Sequence, residues 1–176
     1  MGIDRGAVVH DLESLRRRVA WALERFHQSC VVEQFIPFGE LTVLVIGNTP
    51  PQPLPVIQRP LDPTSRLSCH VDRSGSSTWL SPVELTPTLE AQATTMAITM
   101  FHALSCHDMA RIDLRVDEQG LLYFLEINPL PSFDPEGSFG LLAEHQGITY
   151  AQLIGRILSA ALTRLNFSSP TPLTPP

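Results

Sequence analysis

The chain has 176 residues, of which 43% are apolar and 17% charged, so it is a globular chain long enough for a hydrophobic core and not a disordered one. Its formal net charge of -6 argues against a surface that binds nucleic acid through the phosphates. No apolar run reaches the roughly 18 residues of a membrane span, and the N-terminus has no apolar signal core. Three cysteines without CxxC spacing favour a reducing compartment, so we expect a soluble, cytoplasmic protein without a membrane or nucleic-acid partner.

The first predicted elements are a helix and a β-hairpin. Asp11 can cap a helix that runs to about Gln28, and apolar residues recur along it at spacings of three and four, which predicts a stripe facing the core. CVVEQFI (30–36) and ELTVLVIG (40–47) predict two strands joined by a turn. The stripe consists of Leu12, Leu15, Val19, Ala22 and Phe26.

Residues 48–82 are rich in Pro, Ser, Asp and Arg and predict long loops with short edge strands. Such a segment in a compact domain is either a lid or binding loop or a poorly ordered one, and the sequence leaves both open.

The C-terminal part alternates helices and strands. Thr86-Pro87 predicts the start of a helix that ends near Ser105, and strands at 109–116 and 121–128 flank the turn sequence DEQG. A short helix over 137–146 and a capping box at Thr149 and Gln152 follow. We therefore expect an α/β (α+β) domain over 1–166, with an antiparallel sheet covered by helices, and a disordered Pro-rich tail over 167–176.

Polar side chains meet where the second hairpin ends. Side chains alternate along a strand, so Glu126 and Asn128 share one face and Arg111 and Asp113 share another. A loop at 118–119 or at 117–120 places Arg111 opposite Glu126, which brings all four groups to one surface, whereas a three- or five-residue loop separates them.

Two interpretations of this polar surface are open on spacing alone. Carboxylate and amide oxygens suit a hard divalent cation such as Mg²⁺, and the fork of Arg111 suits an acyl phosphate or an oxyanion. The other interpretation is a hairpin with a solvated face, whose Arg and Glu form a surface ion pair of little energetic value.

A family resemblance favours the first interpretation. The stretch RIDLRVDEQGLLYFLEINPLPSFDPEGSFGLLAEHQGITYAQLI (111–154) resembles the C-terminal signature of the D-alanine–D-alanine ligase family of the ATP-grasp superfamily. VVEQFIPFGELTVLVIGN (31–48) resembles its nucleotide-binding hairpin, and WLSPVEL, CHDMARID and IDRGAVVHDLESLRRRV extend the similarity over about residues 2–165. The resemblance implies the C-terminal lobe of an ATP-grasp fold.

The resemblance also implies roles for individual residues. Asp113, Glu126 and Asn128 would bind Mg²⁺, two ions in all or Mn²⁺ in their place, and Arg111 and Ser132 would be catalytic. The side chain of Phe124 shares the metal face, where either a core role or a cofactor role is open. The adenine and ribose of ATP would lie against Glu33, Gln34, Phe35, Ile36 and Glu40, and the second amino acid would lie at Ser138 and Phe139.

The sequence departs from this family in its phosphate-binding groups. All twelve basic residues are Arg, whereas the family holds nucleotide phosphates with Lys. The glycine-rich phosphate loop is represented at most by Met1-Gly2, and the family's N-terminal domain has no counterpart here.

The implied function is an ATP- and Mg²⁺-dependent carboxylate–amine ligase. It would join amino acids into a dipeptide, a peptidoglycan precursor, through an acyl phosphate. A separate N-terminal half or a homodimer would complete it. The alternative is a catalytically silent nucleotide-binding or interaction domain.

Overall fold

The computed structural model describes residues 3–68 and 80–167. These residues divide into two compact units. The first comprises Met1–Glu40, Gln58–Glu84 and Arg115–Leu121, and the second comprises Leu41–Ile57, Leu85–Leu114 and Leu122–Pro176. The predicted tail lies outside the described residues from 168 onward, as does 69–79 of the predicted loop region.

The strands form the antiparallel sheet that the sequence predicts. They are β1 (Gly39–Ile46), β2 (Gln52–Pro53), β3 (Ile57–Gln58), β4 (Met109–Val116) and β5 (Leu122–Asn128). The order is β2-β1-β4-β5, β3 also pairs with β1, and Val45 lies opposite Pro53. β1 is buried along its whole length, as its apolar sequence requires, whereas β5 at the edge is largely exposed.

Three helices belong to the second unit: α2 (Pro87–Ala103), α3 (Ser138–His145) and α4 (Tyr150–Arg164). Thr86 caps α2, and the predicted capping box at Thr149 and Gln152 opens α4. The helices α3 and α4 pack over the sheet in a core of Leu44, Ile46, Leu54, Met109, Phe139, Leu142, Ala143, Leu153 and Ile157. None of the helices in the described segments is long and apolar enough to cross a bilayer.

The helix of the first unit, α1 (Leu12–Phe26), begins at its predicted cap. Asp11 accepts a hydrogen bond from the backbone N–H of Ser14 at 2.8 Å, which holds the pKa of the Asp11 carboxyl below its usual value. None of its residues is buried, however, so the prediction of a core-facing stripe is wrong: Leu12 is exposed, and Val19 is only half buried.

The predicted strand over 30–36 is also wrong. These residues are extended but have no strand assignment, and the side chains of Val31 and Val32 are 85% and 59% exposed. A strand exists only when its backbone groups pair with a neighbour, and no described segment of the chain pairs with this one. β1 therefore has β2, β3 and β4 as partners in place of the predicted hairpin.

Candidate functional site

The centre of the second unit's polar surface is a buried carboxylate held by two donors. Asp113, on β4, is 4% exposed, and its Oδ1 accepts a hydrogen bond of 2.7 Å from the hydroxyl of Thr42 on β1. Arg111 lies two residues earlier on β4, so its side chain is on the same face and its fork grips the carboxylate at 2.7 to 3.1 Å. The Asp113 carboxylate thus has a fixed position before any ligand arrives.

The same guanidinium reaches the neighbouring strand. The Nη2 of Arg111 lies 3.8 Å from Oε1 of Glu126 on β5, and the Glu126 side chain is 58% exposed. Arg111 is therefore between two carboxylates, one buried and one open to solvent. The structure brings together three of the four residues that the hairpin was predicted to collect.

Asn128, at the end of β5, also stabilises the turn that follows the strand. Its Oδ1 accepts a hydrogen bond of 3.2 Å from the backbone N–H of Leu130, an Asx turn that turns the chain out of the strand. The amide is half buried.

The turn between β4 and β5 covers residues 117–121. It is one residue longer than the longer of the two loops considered above, 117–120. The N–H of Gly120 donates to the carbonyl of Asp117, and the N–H of Asp117 donates to the carbonyl of Leu121. Gly120 has φ +82°, where a residue with a side chain is strained. A loop with an odd number of residues was expected to place Arg111 and Glu126 on opposite faces of the hairpin. The two side chains nevertheless approach each other, so loop length alone does not decide which groups share this face.

The chemistry of these donors fits a hard cation. Asp113, Glu126 and Asn128 offer only oxygen ligands, which Mg²⁺ prefers, and Mg²⁺ commonly binds through one or two carboxylates and completes its shell with water and phosphate. Within 3–68 and 80–167 no cluster of three or more His, Cys, Asp or Glu side chains is arranged for a metal. Two carboxylates and an amide would thus need oxygens from a ligand.

The first unit holds a second buried carboxylate, that of Glu40. Its Oε2 lies 3.0 Å from the guanidinium of Arg115, and its Oε1 lies 3.7 Å from Nε of Arg59. Arg115 also donates to the carbonyl of Arg66 at 3.2 Å, and its guanidinium carbon lies 5.1 Å from the centre of the Phe35 ring. Burial lowers the pKa of Arg115, and the charge of Glu40 opposes that shift.

The remaining residues predicted for the nucleotide differ in exposure. Glu33 and Gln34 are exposed, Phe35 and Ile36 are half buried, and Glu40 is 7% exposed, so Glu40 is not a solvated residue of a hairpin. Phe124 is exposed at the sheet edge, which removes the core role considered for it.

The residues predicted for the amino-acid substrate lie around the start of α3. Ser138 is its first residue and is buried, and Phe139 belongs to the hydrophobic core. Phe139 is thus a packing residue, and its side chain is not available to a substrate. Ser132 is exposed in the loop between β5 and α3.

Three polar residues of these clusters received no role from the sequence: Thr42, Arg59 and Arg115. The signal available for Thr42 is a hydroxyl in an otherwise apolar strand, two residues after Glu40. Arg115 follows Asp113 by two residues, so alternation places both on one face of β4. Arg59 follows β3. Its backbone N–H donates to the carbonyl of Glu40, and its side chain forms an ion pair with the Glu40 carboxylate. Only the fold brings these two residues together, so the sequence contains no signal for this contact.

Each unit contains an open cleft. That of the first unit has a volume of about 670 Å³, and its lining includes Phe35, Asp62 and Arg66. That of the second unit, about 970 Å³, lies between the end of β1 and α4, where an ion pair joins Asp108 to Arg164 at 2.6 Å.

Comparison with known proteins identifies relatives of the chain. Residues 2–159 match the family model described as "D-ala D-ala ligase C-terminus". A D-alanine–D-alanine ligase of Desulforamulus reducens is 31% identical over 159 residues, which are 88% of this chain and 49% of the relative. One of Geobacillus thermodenitrificans is 29% identical over 142 residues, 80% of this chain and 38% of the relative. The chain thus spans about half the length of these relatives, or less.

Solved structures resemble the fold. A D-alanine–D-alanine ligase from Coxiella burnetii superposes with a TM-score of 0.71 at 23% identity, over 90% of this chain and 41% of that one. A D-alanine–D-alanine ligase from Bacillus anthracis, in complex with ATP, gives 0.66 at 23% identity, over 92% and 49%. At this identity the likeness establishes the fold and not the chemistry.

Proposed function

The chain belongs to the D-alanine–D-alanine ligase family, and from this premise we propose that it is the C-terminal part of an ATP- and Mg²⁺-dependent carboxylate–amine ligase. In this reaction ATP phosphorylates a carboxylate, and an amine then displaces the phosphate to form an amide. The observation that supports the proposal most is the fork of Arg111, which grips Asp113 and reaches Glu126.

This geometry suits a reaction that depends on positioning and on charge. Asp113, Glu126 and Asn128 would hold Mg²⁺, which when bound neutralises the charge of the nucleotide phosphates. Arg111 now balances the two carboxylates. In the complex with nucleotide, the guanidinium of Arg111 would hold the transferring phosphoryl group and the oxyanion of the intermediate.

Other residues would bind the remaining parts of the substrates. Phe35 and the backbone around it would hold the adenine and Glu40 the ribose hydroxyls, since a carboxylate accepts hydrogen bonds from a diol. The N–H of Ser132 would stabilise the oxyanion. Ser138, at the N-terminal end of α3, would bind the carboxylate of the incoming amino acid, where helix N–H groups favour an anion.

We propose further that activity needs a second polypeptide segment. The chain spans 38% to 49% of the length of these relatives and has no Lys to hold phosphates. An N-terminal half, or a second copy of the chain, would supply the missing phosphate contacts and the site of the first amino acid.

A catalytically silent domain that binds nucleotide is the second candidate. Two observations favour it: the absence of Lys and the burial of Glu40 in ion pairs. Binding and turnover are measured separately for this reason.

Binding is tested by titrating the chain with ADP in the presence of Mg²⁺ in a calorimeter. The double change Glu126→Ala and Asn128→Ala removes two of the three proposed ligands, so we expect a loss of about tenfold or more in affinity, and no loss when Mg²⁺ is replaced by EDTA in both chains. The control is Glu118→Ala with Gln119→Ala, two exposed residues at the turn of the same hairpin. The assignment of the metal ligands is contradicted if the changes at Glu126 and Asn128 leave the affinity for ADP unchanged. It is also contradicted if the changes at Glu118 and Gln119 lower the affinity equally.

Turnover is tested by phosphate release from ATP with D-alanine. We expect none from the chain alone, because it has no Lys to hold the nucleotide phosphates and spans about half the length of these relatives. Release should appear when the N-terminal half of the Desulforamulus reducens relative is fused upstream. Phosphate release by the chain alone would refute the need for a second segment. A folded fusion that binds Mg-ADP but releases no phosphate would favour the catalytically silent domain.

A further inference from the structure

Three charged side chains are buried together in the first unit. Glu40, Arg59 and Arg115 are 7%, 5% and 7% exposed, respectively. Removing charges from water is costly unless each charge has close partners, so such a cluster is a specific arrangement of the fold and not a surface ion pair. Glu40 is the anion that both cations share.

Arg115 is fixed from several sides within this cluster. It forms an ion pair of 3.0 Å with Glu40, it donates to the carbonyl of Arg66, and its planar guanidinium lies over the ring of Phe35. A guanidinium over an aromatic face and against a carboxylate combines two favourable electrostatic contacts in a site that excludes water.

The partners of Arg115 are also the groups proposed to hold a nucleoside. Phe35 offers the apolar face and Glu40 the hydrogen-bond acceptor, and the guanidinium now covers both. We propose that Arg115 determines the ligand specificity of this pocket: it occupies the place of the nucleoside, so a nucleotide gains the contacts of base and ribose only by displacing Arg115 from Glu40. This inference rests on the proposed function, which assigns Phe35 and Glu40 to the nucleotide.

Space for the exchange exists beside the cluster. Phe35 and Arg66, both in contact with Arg115, line the open cleft of about 670 Å³ in the first unit. This volume is in the range of small-molecule sites. The Glu40 side chain, by contrast, is only 9% exposed, so a ribose cannot reach it while the guanidinium stays in place.

The first test replaces Arg115 and measures the affinity for ADP with Mg²⁺. Arg115→Met keeps a long, unbranched side chain but removes the charge and the fork, so Glu40 loses the shorter of these two ion pairs and keeps the contact with Arg59. We expect the affinity to rise about tenfold, the value of a hydrogen bond to a charged group. The control is Arg17→Met, an exposed arginine of α1 that pairs with Glu13, and it should bind as the native chain does.

A second test compares two ligands, and its first part uses the native chain alone, so it can be made even if Arg115→Met does not fold. In the native chain Glu40 is engaged, so ADP and 2′,3′-dideoxy-ADP should bind with affinities equal within about twofold. In Arg115→Met, ADP should bind more tightly than the dideoxy analogue, and adding Glu40→Gln should abolish that difference.

The outcomes separate this inference from the function on which it rests. Tighter binding by Arg115→Met with a new preference for the ribose hydroxyls supports it. Unchanged or weaker ADP binding by a folded Arg115→Met, or a native chain that already prefers ADP over its dideoxy analogue, overturns it and leaves the proposed function intact. Absence of Mg-ADP binding in both chains overturns the proposed function and, with it, this inference.

Discussion

At the scale of single residues, buried carboxylates are placed by neighbouring strands. Asp113 on β4 is held by Thr42 of β1 as well as by Arg111 of its own strand, and Glu40 on β1 is held by Arg115 of β4. Each carboxylate thus depends on the pairing of β1 with β4. Substitutions that remove one donor should show how much stability each contact contributes.

The hydroxyl of Thr42 is the first such donor. Thr42→Val keeps the shape of the side chain but leaves Oδ1 of Asp113 without a hydrogen bond of 2.7 Å, so we expect a loss of about 1–3 kcal/mol in the free energy of unfolding. Urea unfolding measures it. Thr95→Val on the exposed face of α2 is the control and should change stability by less than about 0.5 kcal/mol. If both variants lose the same free energy of unfolding, the loss comes from replacing Thr by Val in general and not from the hydrogen bond to Asp113.

The ion pair of Asp108 with Arg164 should make stability depend on pH. Hydrogen bonds from Arg164, then from Asn48, lower the pKa of the Asp108 carboxyl, although its burial acts in the opposite direction. A depressed pKa contributes stability that is complete above the ordinary value of about 4 and is lost as the pH falls through the folded-state value.

The test compares the native chain with Arg164→Met. At pH 7 the variant should be less stable than the native chain, because it loses the ion pair that joins Arg164 to Asp108. This difference should shrink as the pH falls below about 4 and Asp108 takes up a proton. Arg156→Met, which removes an exposed hydrogen bond to Gln146, is the control, and its effect should not vary over this range. A pH-independent difference for Arg164→Met would contradict the expectation.

At the scale of elements, local signals were sufficient where the interactions are local. The caps at Asp11, Thr86 and Thr149 lie within four residues of their partners, and all three helices begin where the sequence predicts. The prediction of a strand over 30–36 was wrong because the pattern of side chains does not show whether another segment pairs with the backbone. The sequence gives no signal for the burial of Arg115 for the same reason, since its partner Glu40 is far away in the chain.

Two glycines in helices α3 and α4 provide an element-scale prediction. A Cβ on Gly140 would lie 1.7 Å from the carbonyl oxygen of Pro135, whereas a Cβ on Gly155 would meet nothing within 4 Å. Gly140→Ala should therefore force α3 away from the preceding loop and cost about 1–3 kcal/mol of stability. Gly155→Ala should add about 0.5–1 kcal/mol, because alanine loses less backbone entropy in a helix. Thermal unfolding of the two variants checks both signs, and an unaffected Gly140→Ala would contradict the close packing.

At the scale of the whole molecule, the chain exposes several large apolar side chains. In the first unit, Trp21, Leu23, Phe26, Val31 and Val32 are 38% to 85% exposed. Apolar side chains grouped at the surface favour association. This exposure is consistent with the proposal that a further segment completes the protein.

We expect the purified chain to associate as its concentration rises. Val31→Asp with Val32→Asp should reduce that association without loss of stability, because the two side chains bury little area. Light scattering after size-exclusion chromatography measures the mass. Leu130→Asp, a change at another exposed apolar residue, is the control. A monomer at all concentrations would contradict the expectation.

The guanidinium over Phe35 has a consequence for how the pocket could be controlled. Arginine keeps its proton throughout the physiological range even where burial lowers its pKa, so a rise in pH within that range would not remove the charge of Arg115 from the contact. Charges shielded from solvent are also little affected by dissolved salt. Dissolved salt and loss of the Arg115 charge would therefore not open the pocket, which leaves a competing ligand or a rearrangement of the surrounding backbone as the means of doing so.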